Sequence, residues 1–487
     1  MKSIGRRRFL ALTAAGLSCA ALGNETVSTS PIMADKTGVL DALGLKRIGQ
    51  VTPRPSKSIE ASPLSVGFEV LDRKCFNPVR TYEHLAQLGV KWARCQTGWC
   101  RCETERGNYD FKWLDDVVDS LLAIGIQPWF NLGYGNTLYT PSAPDEYAVG
   151  WVPVYDDTAM QAWLRFTQAL AEHFAARVKH WEIWNEPNIS NFWQPNKPNA
   201  HDYVNLVAQT APVIRKAVSG ASIIGLACSG IKMEYIEACL EAGLTDHIDI
   251  VSYHPYRALP EDNYDREILR LREAISTRRK GIELWQGENG CPSQGGPESV
   301  GALSKLNWTE TSQAKWLLRR ILIDLRLGIA LTSYFHTVDL LNYRSKTNFK
   351  GLLRGADYTP KPAYYAYQCL CALFDAKTKP TALSPIFLDQ DTQLIQQGEF
   401  VRDGRALYAC WFPANLQQEW KMRTISLRLT FPEDAAITDP VLIDPLDGKA
   451  YAPTKTTASK RTLEVHDLPL LDYPLILTDR QLVANTV

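Results

Sequence analysis

Residues Met160–Pro187 read MQAWLRFTQALAEHFAARVKHWEIWNEP, a helical pattern running straight into a strand-like one. Trp163, Phe166, Leu170 and Phe174 recur at three- to four-residue spacing, which puts them on one face of an amphipathic helix. The run VKHWEIWN (178–185) that follows is short and rich in Val, Ile and Trp, as a buried strand is. Pro187 cannot donate to a strand ladder, so the chain turns directly after Asn185-Glu186. A helix, a strand and an acid at the strand's end make one unit.

The unit repeats along the chain. Strand-like runs stand at LSVGFEV (64–70), VKWARCQ (90–96), IQPWFNLG (126–133), VKHWEIWN (178–185), SIIGLAC (222–228), IDIVSYH (248–254), IELWQGE (282–288) and LTSYFH (331–336), with helical patterns between them. An eighth helical pattern, KPAYYAYQCLCALFD, closes the series. Eight strand–helix repeats predict an α/β fold, a (β/α)8 TIM barrel, over residues 62–378. A doubly wound sheet would carry a glycine-rich turn after its first strand, and GFEVLDR is no such turn. From 379 to 487 the texture changes to short alternating strands with Pro, Asp and Gly turns, including Asp447-Gly448. That predicts a β-sandwich accessory domain, open to completion by a strand from the 37–60 region, whose role is packing on the barrel or carbohydrate binding.

Before the barrel, Arg6-Arg7-Arg8 precede a short apolar run ending at Leu22. Residues 1–23 therefore read as an export signal, with the spacing of a twin-arginine leader, and 24–61, rich in Ser, Thr, Pro and Lys, as a linker. The run is too short for a comfortable membrane span, so the mature chain is expected outside the cytoplasm, with no integral membrane segment. Cys19 is a candidate lipidation residue. The 11 cysteines include two C-x-C pairs but no zinc spacing, so free buried thiols are expected and no metal or cofactor, with Cys75 to Cys100 or Cys102 as the alternative pairing. Lys+Arg and Asp+Glu balance at 53 each, which gives no basic surplus to attract nucleic acid. The 14 Trp and 20 Tyr offer flat faces that suit sugar rings. Nothing in the composition sets the oligomeric state.

In a TIM barrel the working side chains stand at the C-terminal ends of the strands. Strand four ends at Glu186 and strand seven at Glu288, so two carboxyl groups are expected to face each other across the barrel mouth. Cleavage of a glycosidic bond needs such a pair: one acid to protonate the leaving oxygen, one carboxylate to attack or to activate water. Glu186 lies among Trp184, Phe192 and Trp193, and desolvation there should keep it protonated.

On these residues the chain resembles glycoside hydrolase clan A, and most of all family 39, with family 5-like relatives close behind. The resemblance is carried by WEIWNEPNISNFW with DYVNLV after it, by ERGNYDFKWLDDVVDSLLAIGIQPWFNLGYG and by GADYTPKPAYYAY, and covers roughly residues 62–375. It implies a retaining hydrolase acting on O-glycosidic bonds of an oligo- or polysaccharide, with Glu186 as acid/base and Glu288 as nucleophile. It further implies that Arg94 holds the nucleophile, that Asn185 meets the substrate's 2-hydroxyl, and that His254, or more weakly Tyr256, stands beside the catalytic pair. Trp193 is a candidate sugar platform, with core packing as the alternative. Two departures stand out: Phe335 or His336 occupies the place of the clan's strand-eight tryptophan, and Gly287 stands where relatives often carry Thr or Ser. A non-catalytic carbohydrate-binding protein or a transglycosylase on the same scaffold are the rival readings.

Overall fold

The structure, a computed structural model, describes residues 38–389, 394–459 and 461–485. The expected export signal and Cys19 lie outside the described residues. Among the described residues no helix is long and apolar enough to cross a membrane.

The (β/α)8 barrel is present. After strand β1 (Arg47–Gln50) come β2 (Leu64–Gly67), β3 (Trp92–Gln96), β4 (Gln127–Leu132), β5 (His180–Ile183), β6 (Ser222–Ser229), β7 (Ile250–His254), β8 (Glu283–Asn289) and β9 (Leu331–Tyr334). Strands β2 to β9 pair in parallel, each with the next, and β2 pairs with β9 to close the ring. The helix of the opening stretch runs Asp157–Phe174, and Asp156 caps it by accepting from the Ala159 amide at 2.8 Å. It buries Trp163, Phe166, Leu170 and Phe174, the face its spacing predicts. Burial of each of the last three contributes on the order of 1.5–3 kcal/mol.

Inside the barrel, Trp129, Ile224, Ile250, Trp285 and Leu331 form an apolar layer with Trp92 packed against it. The Arg94 guanidinium carbon lies 5.5 Å from the Trp129 ring centre, so the polar upper barrel begins directly on this aromatic layer.

The C-terminal part forms two antiparallel sheets of eight and four strands. The 37–60 region does supply a strand to the C-terminal sheets. Gly49 and Gln50 of β1 pair with Ala450 and Lys449, so β1 is a strand of the eight-stranded sheet, and a short helix (Val39–Ala42) precedes it. Gly49 and Gln50 also pair with Asn485 and Ala484, so both neighbours of this strand lie roughly 400 positions or more away. The sheets are tied to the barrel side by buried charge. Arg319, in the helix Glu310–Arg326, pairs with Glu261 at 2.5 Å and donates to the Ala414 carbonyl, and Trp411 donates to Glu261 at 2.6 Å. Cys75, Cys100 and Cys102 are free thiols, so the alternative disulfide does not form.

Candidate active site

Arg94 organises the mouth. It projects from β3 with no exposed surface, and its guanidinium meets side chains from four other places in the chain. Nη1 donates to Glu288 Oε2 at 2.7 Å and to Glu69 Oε1 at 3.2 Å; Nε donates to Glu182 Oε2 at 2.9 Å; Nη2 donates to Glu182 and, at 2.8 Å, to Asn185 Oδ1. Asn131 Nδ2 steadies the cluster from β4, donating to Glu182 Oε2 at 2.8 Å and to the Trp184 carbonyl at 2.7 Å. Glu182 is thus a paired interior residue.

Glu288 reaches the mouth through an irregularity. Gly287 faces the barrel interior, where a Cβ on it would meet Ser252 and Glu182. Strict alternation would send the next side chain outward. The β8–β9 register shifts between Gln286 and Asn289, and this turns the Glu288 carboxylate into the mouth. Its Oε1 accepts from the Tyr256 hydroxyl at 2.8 Å, so both carboxylate oxygens are held.

Glu186 follows β5 with φ 46°, a left-handed conformation uncommon for a non-glycine residue. Its amide donates to the Ala227 carbonyl at 2.9 Å, beside a register shift in β6. His254 Nδ1 stands 3.1 Å from Glu186 Oε1. Burial pushes the Glu186 carboxyl up to about 7, against the opposing charges of Arg94 and Arg344. Burial pushes His254 down to about 4, so its imidazole is neutral at ordinary pH and can meet Glu186 without a competing cation.

One atom each of Glu186, His254 and Glu288 lie within 4.8 Å of one another. Three such ligand atoms could in principle face a metal ion. A cation there would meet the Arg94 guanidinium, which already supplies the positive charge next to Glu288. The donor set therefore fits a paired-carboxyl site better than a cation site.

The remaining expected residues divide. Trp193 is fully buried and donates to the Tyr155 hydroxyl at 2.8 Å, so it packs the core and offers no face to a sugar. His336 is also fully buried, with Nδ1 3.1 Å from the Val338 carbonyl and Nε2 3.2 Å from the Glu69 carbonyl. Phe335 is 7% exposed and packs with Val70 and Leu340 near the mouth. The long loop after β4 contributes Asp145, Tyr147 and Val149 to a cavity of about 480 Å³, closed on its other side by Arg73, Tyr343 and Arg344. Three residues escaped the sequence reading. Glu69 follows the first barrel strand, where an acid at a strand end was the available signal. Ser252 stands two positions before His254 and so shares its inward face. Lys350 is buried with its Nζ 5.7 Å from the Tyr256 ring, and nothing local marks it.

The model for glycosyl hydrolases family 39 matches residues 73–286, a span that holds Arg94, Asn185, Glu186, His254 and Tyr256 and stops two residues before Glu288. The match runs from before β3 into β8, less than half of the chain. A β-xylosidase of Geobacillus stearothermophilus is 30% identical over 161 residues, 30% of this chain and 31% of that protein. A β-xylosidase of Caldicellulosiruptor saccharolyticus is 23% identical over 295 residues, 54% of this chain and 56% of the relative. The chain thus spans about a third and about half of these two relatives. A solved family 39 glycoside hydrolase from Bacteroides cellulosilyticus WH2 shares the fold with a TM-score of 0.63 at 21% identity, over 88% of this chain and 81% of that one.

Proposed function

We propose that this protein is a family 39-type retaining glycosidase that cleaves β-linked sugars by double displacement. The observation that carries the reading is the closeness of the two carboxyl groups. An atom from each of Glu186 and Glu288 lies within 4.8 Å of the other. Retaining glycosidases hold their carboxyl groups roughly 5–5.5 Å apart, whereas inverting enzymes need roughly 6.5–9.5 Å to admit water.

In the first step Glu288 attacks the anomeric carbon and the glycosidic C–O bond breaks, while Glu186 gives its proton to the departing oxygen. In the second, Glu186 takes a proton from water, and that water's oxygen displaces Glu288 from the anomeric carbon. Environment separates the two roles. Glu186 is buried beside a neutral imidazole and retains a proton, while Glu288 accepts from the Arg94 guanidinium and the Tyr256 phenol, which aim its two oxygens. The β-xylosidase relatives make a β-xyloside the first substrate to test.

The experiment is hydrolysis of an aryl β-xyloside and a panel of other aryl glycosides by the wild type and by Glu288→Ala, with the anomer of the first-formed product read by proton NMR. Release of the β-anomer by the wild type and its loss in the variant support the reading. Release of the α-anomer, or full activity in the variant, refutes it.

A further inference from the structure

The Arg94 cluster has more acid than base. Glu69, Glu182 and Glu288 all accept from one guanidinium, and Glu69 and Glu288 share its Nη1. Arg94 and Glu182 have no exposed surface and Glu69 has 2%, so solvent cannot make good the missing charge. Three carboxylates against one guanidinium would leave uncompensated negative charge in a dry interior, which is far costlier than protonating one of them.

Among the described residues only Arg94 and His336 stand within ion-pair distance of Glu69, and Arg73, four positions on, is committed to Asp72 and Gln96. His336 Nε2 lies 3.6 Å from Glu69 Oε2, yet it is committed to the Glu69 carbonyl, and burial holds His336 at about 4. Cys95 and Tyr256, the other titratable neighbours, are pushed upward by burial and stay neutral. Lys350 acts on Glu288 and not on Glu69. Glu182 is doubly held by Arg94 and also by Asn131, and Glu288 by Arg94 and Tyr256. Glu69 has a single bond to Arg94, the longest of the set, whereas Glu182 and Glu288 each take shorter bonds from more than one donor; Glu69 Oε2 and Glu182 Oε1 have no hydrogen-bond partner.

We propose that Glu69 is held as a neutral carboxylic acid, a positioning residue whose proton leaves the Arg94 guanidinium to Glu182 and Glu288. Burial first, and then the Glu288 charge, outweigh Arg94 and push the Glu69 carboxyl up to about 8. Only the kinetic consequence rests on Glu288 being the nucleophile: loss of the Glu69 proton adds a second carboxylate to Nη1 and loosens the group that attacks.

The test compares thermal unfolding of the wild type and Glu69→Gln from pH 4.5 to 9. A carboxyl that ionises near 4.5 when unfolded and near 8 when folded makes the wild type lose stability progressively across that window. Glutamine lacks this loss, so the variant's melting temperature should rise relative to wild type between those limits. An ionised Glu69–Arg94 pair predicts the opposite: a variant less stable at neutral pH, with the gap closing on acidification. That result, or a flat difference, overturns the proposal. Should the variant fail to fold, carbon-13 NMR of glutamate-labelled Glu186→Gln protein decides. A carboxyl carbon titrating near pH 8 supports the proposal, and its absence refutes it. Neither readout uses hydrolysis, so the proposal and the glycosidase reading fail independently. In kinetics, kcat/KM should show a second alkaline ionisation above that of Glu186, missing in Glu69→Gln.

Discussion

The Ser252 hydroxyl occupies the space that a side chain on residue 287 would need, so Gly287 and Ser252 are two halves of one packing solution. A Cβ at position 287 would clash with the Ser252 Oγ on the neighbouring strand, so glycine is what this packing admits. Gly287→Ser should therefore destabilise by about 1–3 kcal/mol, the usual effect of overpacking. Adding Ser252→Ala should recover part of that loss, since residues in contact couple. Denaturant unfolding of the two single variants and the double variant measures the coupling.

Glu186 must be protonated to act as the acid. Its folded value of about 7 lies above the ordinary 4.5, so the active form prevails below neutrality and is lost as pH rises through about 7. kcat/KM for a substrate with a poor leaving group should fall on that alkaline side. Glu186→Gln should cost roughly 10²–10⁴-fold on such a substrate and far less on an activated aryl glycoside.

Tyr256 donates to Glu288 Oε1 at 2.8 Å, and a hydrogen bond to a charged group contributes about 1.5–3 kcal/mol. Tyr256→Phe should lower kcat/KM by roughly 10- to 100-fold while leaving the fold intact. Steady-state kinetics beside circular dichroism would check both parts.

Glu261 joins the barrel to the C-terminal sheets through Arg319 and Trp411. Burial alone would raise its pKa, but Arg319 and Trp411 outweigh it and hold the carboxyl below its usual range. Its stabilisation is therefore present above the carboxylate range and lost as pH falls through it. Glu261→Ala leaves a buried Arg319 without its counter-charge and should cost about 3–5 kcal/mol at neutral pH. Thermal unfolding should show the deficit at pH 7 and a smaller one near pH 4.

Much of the site was legible because strand ends are. Asn185, His254 and Glu288 each close a strand-like run and Glu186 follows one, and a barrel gathers strand ends at one mouth; Arg94 reaches it from within β3. Trp193 was ambiguous, since an indole near an acid reads the same whether it faces sugar or core; its buried bond to Tyr155 decides for the core. Glu69 was visible as a letter but not as a third acid on Arg94, because that relation spans β2, β3 and β8.

Local periodicity by itself determined the eight strand–helix units, the buried helix faces and the ends at which the acids stand. Those signals repeat every two or three to four residues, so short windows contain them. Only the tertiary structure decided that β1 completes a sheet some 400 positions away, that Ser252 fills the space beside Gly287, and that three carboxyl groups share one guanidinium. Those relations depend on which strands become neighbours and how much water is excluded between them, and no local window of sequence holds either quantity.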